Sequence, residues 1–141
     1  NANFGTPQRN VNGFDFKRLA MLLAVLEKRI GTHMGTKDVF INLVGGLKID
    51  DPAADLAVIS AVASSSRDKL IKESVVLIGE VGLGGEVRSV SRLKERINEA
   101  KSLGFKSVIA PAANLKRMKD RIKGVDITGV TNVGEVFHHL F

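Results

Sequence analysis

The chain has 141 residues, 44% hydrophobic and 26% charged, enough to bury the core of one ordinary domain and too apolar for global disorder. It contains no cysteine, which excludes disulfides and thiol catalysis within this segment, and no apolar run near the roughly 20 residues of a membrane span. The formal net charge of +6 is concentrated: ten Lys or Arg against three acids lie between Arg92 and Lys123, about +7, leaving about −1 elsewhere. Such a segment suits nucleic-acid phosphates, and it equally suits a solvated surface that keeps the protein soluble; charge alone leaves both open. Seven Phe with no Trp or Tyr leave few side chains on which a base could stack. The chain begins at Asn1 without a basic-then-apolar leader pattern and reads as a segment of a longer protein.

Residues 1–13, rich in Asn and Gly, read as an extended arm or short edge strand. Asp15 can cap a helix running to about Ile30, with Leu19, Leu22, Leu23, Leu26 and Ile30 at three- and four-residue spacing and Gly31 ending it. Val39, Ile41 and Leu43 alternate as in a strand with one buried face, which Gly45-Gly46 break. Asp51-Pro52 opens a second helix, Asp as cap and Pro in the first turn, running to about Ser65. Its apolar surface comes from Ala54, Leu56, Ala57, Val58, Ala61 and Val62.

Val75 to Ile78 reads as a short buried strand, and GEVGLGGEVR as a hairpin turning at Gly84-Gly85. Ser91 caps a helix with Leu93, Ile97 and Ala100 inside, stopped by Gly104. SVIAP is a strand ended by Pro111, a short basic helix spans about Asn114 to Lys119, Ile127 to Val130 is a last strand and Val133 to Leu140 a last helix. The alternation of strands and helices predicts one α/β domain (α+β in detail), without linker, repeat or low-complexity tract.

The glycines of GLGGE, at 82–86, tempt as a phosphate loop, but no Gly-Lys-Ser/Thr follows, so nucleotide hydrolysis by this segment is not expected. His33, His138 and His139 stand in no metal-ligand spacing, and no metal is expected here. Asp50, Asp51 and Asp55 could form a carboxylate pair. Asp51 and Asp55 are explained equally well by a helix start, where acids meet the positive end of the dipole.

Three segments in order resemble the proteolytic domain of Lon protease. DVFINLV matches the strand leading to the active site, and DDPAADLA stands where Lon carries a Gly-Pro-Ser-Ala-Gly type motif. GEVGLGGEVRSVSRLKERINEA matches the segment running into the helix of the catalytic lysine, and the match continues through GFKSVIAPAANL. Lon chemistry uses a serine hydroxyl with a lysine amine as base. By this resemblance the nucleophile position is Ala53 and the base position Lys94, and the family's Thr becomes Gly82. Alanine cannot attack a carbonyl. Ser60, seven residues on, lies roughly 10 Å further along a helix and cannot replace it.

With FGTPQRNVNGFDFKRLAMLLAVLEKRIG ahead of DVFINLVGGLKIDDPAADLA, the chain resembles the C-terminal Lon-like domain of the RadA/Sms family of bacterial DNA-repair ATPases. The resemblance implies a Lon-type fold in a cytoplasmic protein. It also implies a zinc finger and an ATPase core elsewhere, so ATP, Mg and Zn belong outside this segment. It further implies a hexameric ring, single-stranded or branched DNA and a recombinase as partners, branch migration as the task, and a scaffolding, DNA-binding role for this domain. The residues expected to hold phosphates are Arg9, Arg88, Arg92 and Lys106. Lys94 is either a relic of the protease base now on phosphate or a plain helix-surface lysine. Two other readings stay open: a pure oligomerisation module, and a residual peptidase using Lys94.

Overall fold

The computed structural model describes residues 9–12, 14–32, 34, 39–42, 51–71, 75–119 and 121–141, and the chain divides into two compact units, Asn1–Asp51 and Pro52–Phe141. Leu43, Gly45-Gly46, Asp50, His33 and the outer part of the N-terminal arm lie outside the described residues.

In the first unit the polar stretch RNVN forms β1 (Arg9–Asn12), paired in parallel with β2 (Val39–Asn42), Arg9 opposite Val39. α1 (Phe16–Val25) begins where its cap requires: the Asp15 carboxylate accepts from the Lys17 amide at 2.9 Å, satisfying one of the helix's orphan donors. Leu19, Leu22, Leu23 and Leu26 are buried as their spacing predicts, and Ile30 half-buried. The helix continues as a π-helical turn, Leu26–Ile30, and ends at Gly31 in the left-handed region.

In the second unit a 3₁₀ turn, Pro52–Ala54, leads into α2 (Asp55–Arg67). The α-helix itself thus starts later than Asp51-Pro52 suggests, and its N-cap position is Ala54, which makes no side-chain cap bond. Its inner face also differs from expectation: Asp55, Leu56, Ile59, Ser60 and Ala63 are buried, whereas Ala57 and Ala61 are exposed. Small apolar residues lie on every side of this helix, so hydrophobicity does not choose the face; packing does, and it takes in two polar side chains.

β3 (Val75–Leu77), β6 (Ser107–Pro111) and β7 (Asp126–Val130) form a parallel sheet with β6 in the middle. The central strand has Val108 to Pro111 buried, as a strand covered on both faces should. β3 was expected to be buried, but as an edge strand it is only half-buried, burial being complete at Ile78 beyond its end. β4 (Glu80–Val81) and β5 (Val87–Arg88) make the expected hairpin, Val81 opposite Val87, with the Gly85 amide donating to the Gly82 carbonyl at 2.9 Å across the turn.

α3 (Leu93–Ser102) buries Leu93, Ile97 and Ala100 as expected, but Ser91 is not its cap. Arg92 holds that position in a left-handed conformation, φ 57, without a side-chain cap bond. The helix ends at Gly104, φ 96, in a Schellman arrangement: Gly104 donates to Lys101 and Phe105 to Ala100, each at 3.0 Å. α4 spans Ala112–Arg117 rather than 114–119, because Pro111 serves at once as strand end and helix N-cap. α5 (Val133–Leu140) lies where its spacing places it and opens on a side-chain cap: Asn132 accepts from the Glu135 amide at 2.9 Å, and the Glu135 carboxylate accepts from the Asn132 side-chain amide and the Thr131 hydroxyl. Between sheet and helices lies one apolar cluster of Ala53, Ile78, Leu93, Ile97, Ala100, Val108 and Ala110.

Candidate nucleic-acid interface

The two positions that correspond to a protease dyad have different fates. Ala53 is 5% exposed, its methyl group part of the apolar cluster that also holds Leu93. Its carbonyl accepts from the Gly79 amide at 2.9 Å, while the Leu56 amide donates to the Gly79 carbonyl at 3.0 Å, so this turn is bolted to the β3–β4 link. Lys94, one residue beyond Leu93, is exposed. No hydroxyl stands at position 53, and Ser60 is fully buried on α2. Asp51 is exposed, whereas Asp55 is fully buried and accepts from the Val81 amide at 3.1 Å, so these two are not a solvent-facing acid pair.

Arg9, expected to hold a phosphate, has its guanidinium engaged within the fold. It is half-buried, and its Nη2 donates to the Met34 carbonyl at 2.7 Å; the Met34 amide in turn donates to the Glu27 carboxylate at 3.2 Å. A segment too polar for a core can still spend its cation on a backbone carbonyl, and here one 25 residues away is within reach.

Arg88 lies on β5 opposite Glu80, is exposed, and pairs with Glu86 through Nη2 at 3.0 Å and Nε at 3.3 Å. Glu86 also accepts from the Gly84 amide at 3.0 Å. Its carboxyl is held below the usual carboxylate range by hydrogen bonding from its own backbone amide first, then from Arg88, with the Gly84 amide adding to them against a small opposing effect of burial. Gly82 leaves room for this arrangement: a Cβ at this position would fall 2.4 Å from the Glu86 carboxylate and push it aside. Arg92, Lys94 and Lys106 are all exposed.

The parallel sheet gives the unit two ends, and the candidates divide between them. At the carboxyl end, Val87 donates to the Thr131 carbonyl and Val133 to the Gly85 carbonyl, each at 2.8 Å, which docks the hairpin beyond β7. Asn114 of α4 clamps Val90 on both sides, accepting from its amide at 2.8 Å and donating to its carbonyl at 2.9 Å. Arg88 and Arg92 therefore share this end with Lys116 and Arg117, which line a shallow pocket of about 370 Å³ with Val87, Ala112, Ala113, Val130 and Thr131. In open α/β sheets the carboxyl ends of the strands are where ligands bind. Lys106 precedes β6, its carbonyl accepting from the Asp126 amide at 2.8 Å, and so stands at the amino end. A five-residue strand separates the ends by roughly 16 Å.

Within the second unit Lys106 thus stands at the opposite end of the sheet from Arg88 and Arg92, and Arg9 belongs to the first unit. In the sequence Arg117 reads, with Lys119, Arg121 and Lys123, as a solvated run, and Lys116 is not singled out. Asn114, in PAANL, was the available signal, since a polar residue early in a short helix often serves a backbone partner.

The C-terminal proteolytic domain of Lon protease (S16) matches this chain over residues 25–141. A DNA repair protein RadA of Bacillus subtilis (strain 168) is 47% identical over 133 residues, 94% of this chain and 29% of that protein. RadA of Streptococcus pyogenes serotype M1 is 44% identical over 138 residues, 98% of this chain and 30% of that protein. RadA of Listeria monocytogenes serovar 1/2a is 42% identical over 132 residues, 94% of this chain and 29% of that protein. The chain spans less than a third of the length of these curated relatives.

Proposed function

The chain belongs to the Lon protease (S16) C-terminal proteolytic domain family, and from that premise we propose that it is a non-proteolytic form of the domain, which binds DNA by its phosphates and scaffolds a larger DNA-repair protein. The observation that carries this reading is the pairing of a buried methyl group at position 53 with exposed cations at the carboxyl end of the sheet. A serine protease of the Lon type needs a hydroxyl at that position; alanine supplies none. Arg88, Arg92, Lys116 and Arg117 supply charge without a built cleft for bases, which suits backbone contacts rather than sequence reading. Glu86 offsets part of this charge at Arg88.

The names of the relatives support DNA repair as the setting. In this proposal the domain works in the cytoplasm as one subunit of a hexameric ring in branch migration, with a recombinase as the longer protein's partner. Nucleotide and metal chemistry, with ATP, Mg and Zn, belongs to other parts of that longer protein. Among the described residues no helix is long and apolar enough to cross a membrane. Retention of labelled single- and double-stranded DNA at low salt, lost as salt rises, is the expected result of a gel-shift test. A folded sample that retains no DNA at low salt would contradict the reading.

A further inference from the structure

We propose that the amino end of the parallel sheet is a second, separate DNA contact, where Phe105 stacks on an unpaired base and Lys101, Lys106, Arg121 and Lys123 hold the flanking phosphates of a single strand. This rests on the DNA-binding reading above and adds to it a contact with bases, at the opposite end of the sheet from the cations that support that reading.

The juxtaposition follows from the turn out of α3. The Schellman closure at Gly104 sets Leu103, Phe105 and Lys106 on one short loop. The Lys106 carbonyl bonds the Asp126 amide at 2.8 Å, which brings the loop preceding β7 alongside. The Lys101 side chain lies over that loop, its Nζ 3.3 Å from where a Cβ on Gly124 would stand. Lys101, Lys106, Arg121 and Lys123 are all exposed, against the exposed carboxylates of Glu99 and Asp126 among the described residues of this end.

Two apolar side chains sit among these cations: Leu103 is 70% exposed and Phe105 36%. The residue after a Schellman glycine commonly packs back on the helix. Phe105 does this only in part, and the charge around it speaks against a dry interface with an apolar partner. An aromatic face among cations is the arrangement by which single strands are held: bases stack on the ring while the cations follow the backbone. A duplex has its base faces occupied and can offer only its phosphates.

The protein contains neither Trp nor Tyr, so Phe105→Trp installs a sole reporter on the loop. Saturable quenching of its emission by an oligothymidine, at the concentrations that saturate anisotropy of the labelled strand, is expected, with little change from a duplex of equal length. Phe105→Leu, which keeps an apolar side chain but cannot stack, should weaken single-strand binding about tenfold or more and leave duplex binding unaltered. Matched thermal unfolding of the variants establishes that the fold is retained. The proposal is overturned if the protein binds single strands while Phe105→Leu binds equally well and the Trp emission does not move, or if polyglutamate quenches the Trp as effectively as the oligonucleotide. A protein that binds no DNA of either kind sinks the parent reading as well, so the two failures are distinguishable.

Discussion

The carboxylate of Asp55, fully buried in the first turn of α2, accepts from the amide of Val81 at 3.1 Å and so ties that helix to the first strand of the hairpin. Removing it leaves a buried amide without this partner, which costs about 1–3 kcal/mol. Asp55→Ala is predicted to lower the unfolding free energy in urea by at least that much. Unchanged stability would show that the hairpin is held by other contacts.

Ser60 presents the reverse case. Its hydroxyl is fully buried and has no hydrogen-bond partner among the described residues. Ser60→Ala removes an unsatisfied polar group and places a better helix former on α2, so a gain of about 1 kcal/mol is expected. Thermal unfolding measures it; a lowered midpoint would mean that the hydroxyl is serving a partner.

Restoring the hydroxyl at position 53 is not predicted to restore a protease. Ala53→Ser puts a polar group into the cluster with Leu93 and Ile97, at a cost of about 1–3 kcal/mol, while Lys94 remains exposed. The variant should unfold at a lower temperature and turn over no fluorogenic peptide. Turnover that disappears on adding Lys94→Ala would revive the peptidase.

The hairpin carries a pH dependence. The folded pKa of Glu86 lies below its ordinary 4.5, held there by its own backbone amide first and then by Arg88, so these bonds contribute stability that is present above pH 4.5. That stability is lost as pH falls through the lowered folded value. Gly82→Ala displaces the carboxylate and should move the midpoint upward, toward 4.5. The Gly84 amide resonance followed through an acid titration reports both midpoints, and coincident midpoints would be the contrary result.

Much of this architecture was legible from local chemistry. Asp15 and Gly31 bracket the first helix, Gly104 stops the third, and SVIAP is the central strand. What escaped depended on partners distant in sequence. The hydrophobic pattern of α2 has no preferred side, so the inward turn of Asp55 and Ser60 is set by Val81 and by packing. Ser91 looked like a cap, yet the chain turns through Arg92. The basic run from Arg92 to Lys123 is one stretch in sequence. Because α3 runs from one end of the sheet to the other before β6 returns, the run is divided between both ends. The acceptor of Arg9 lies 25 residues away, outside any local pattern.

The central claim, phosphate binding by a domain without a protease nucleophile, is tested most directly by the salt dependence of DNA binding. Fluorescence anisotropy of labelled DNA, measured from low to moderate salt, should give a log–log plot falling steeply for the unaltered protein. Arg92→Ala and Arg117→Ala should each weaken binding for all sequences and reduce the slope by about one. Affinity independent of salt, or slopes untouched by both substitutions, would contradict the account.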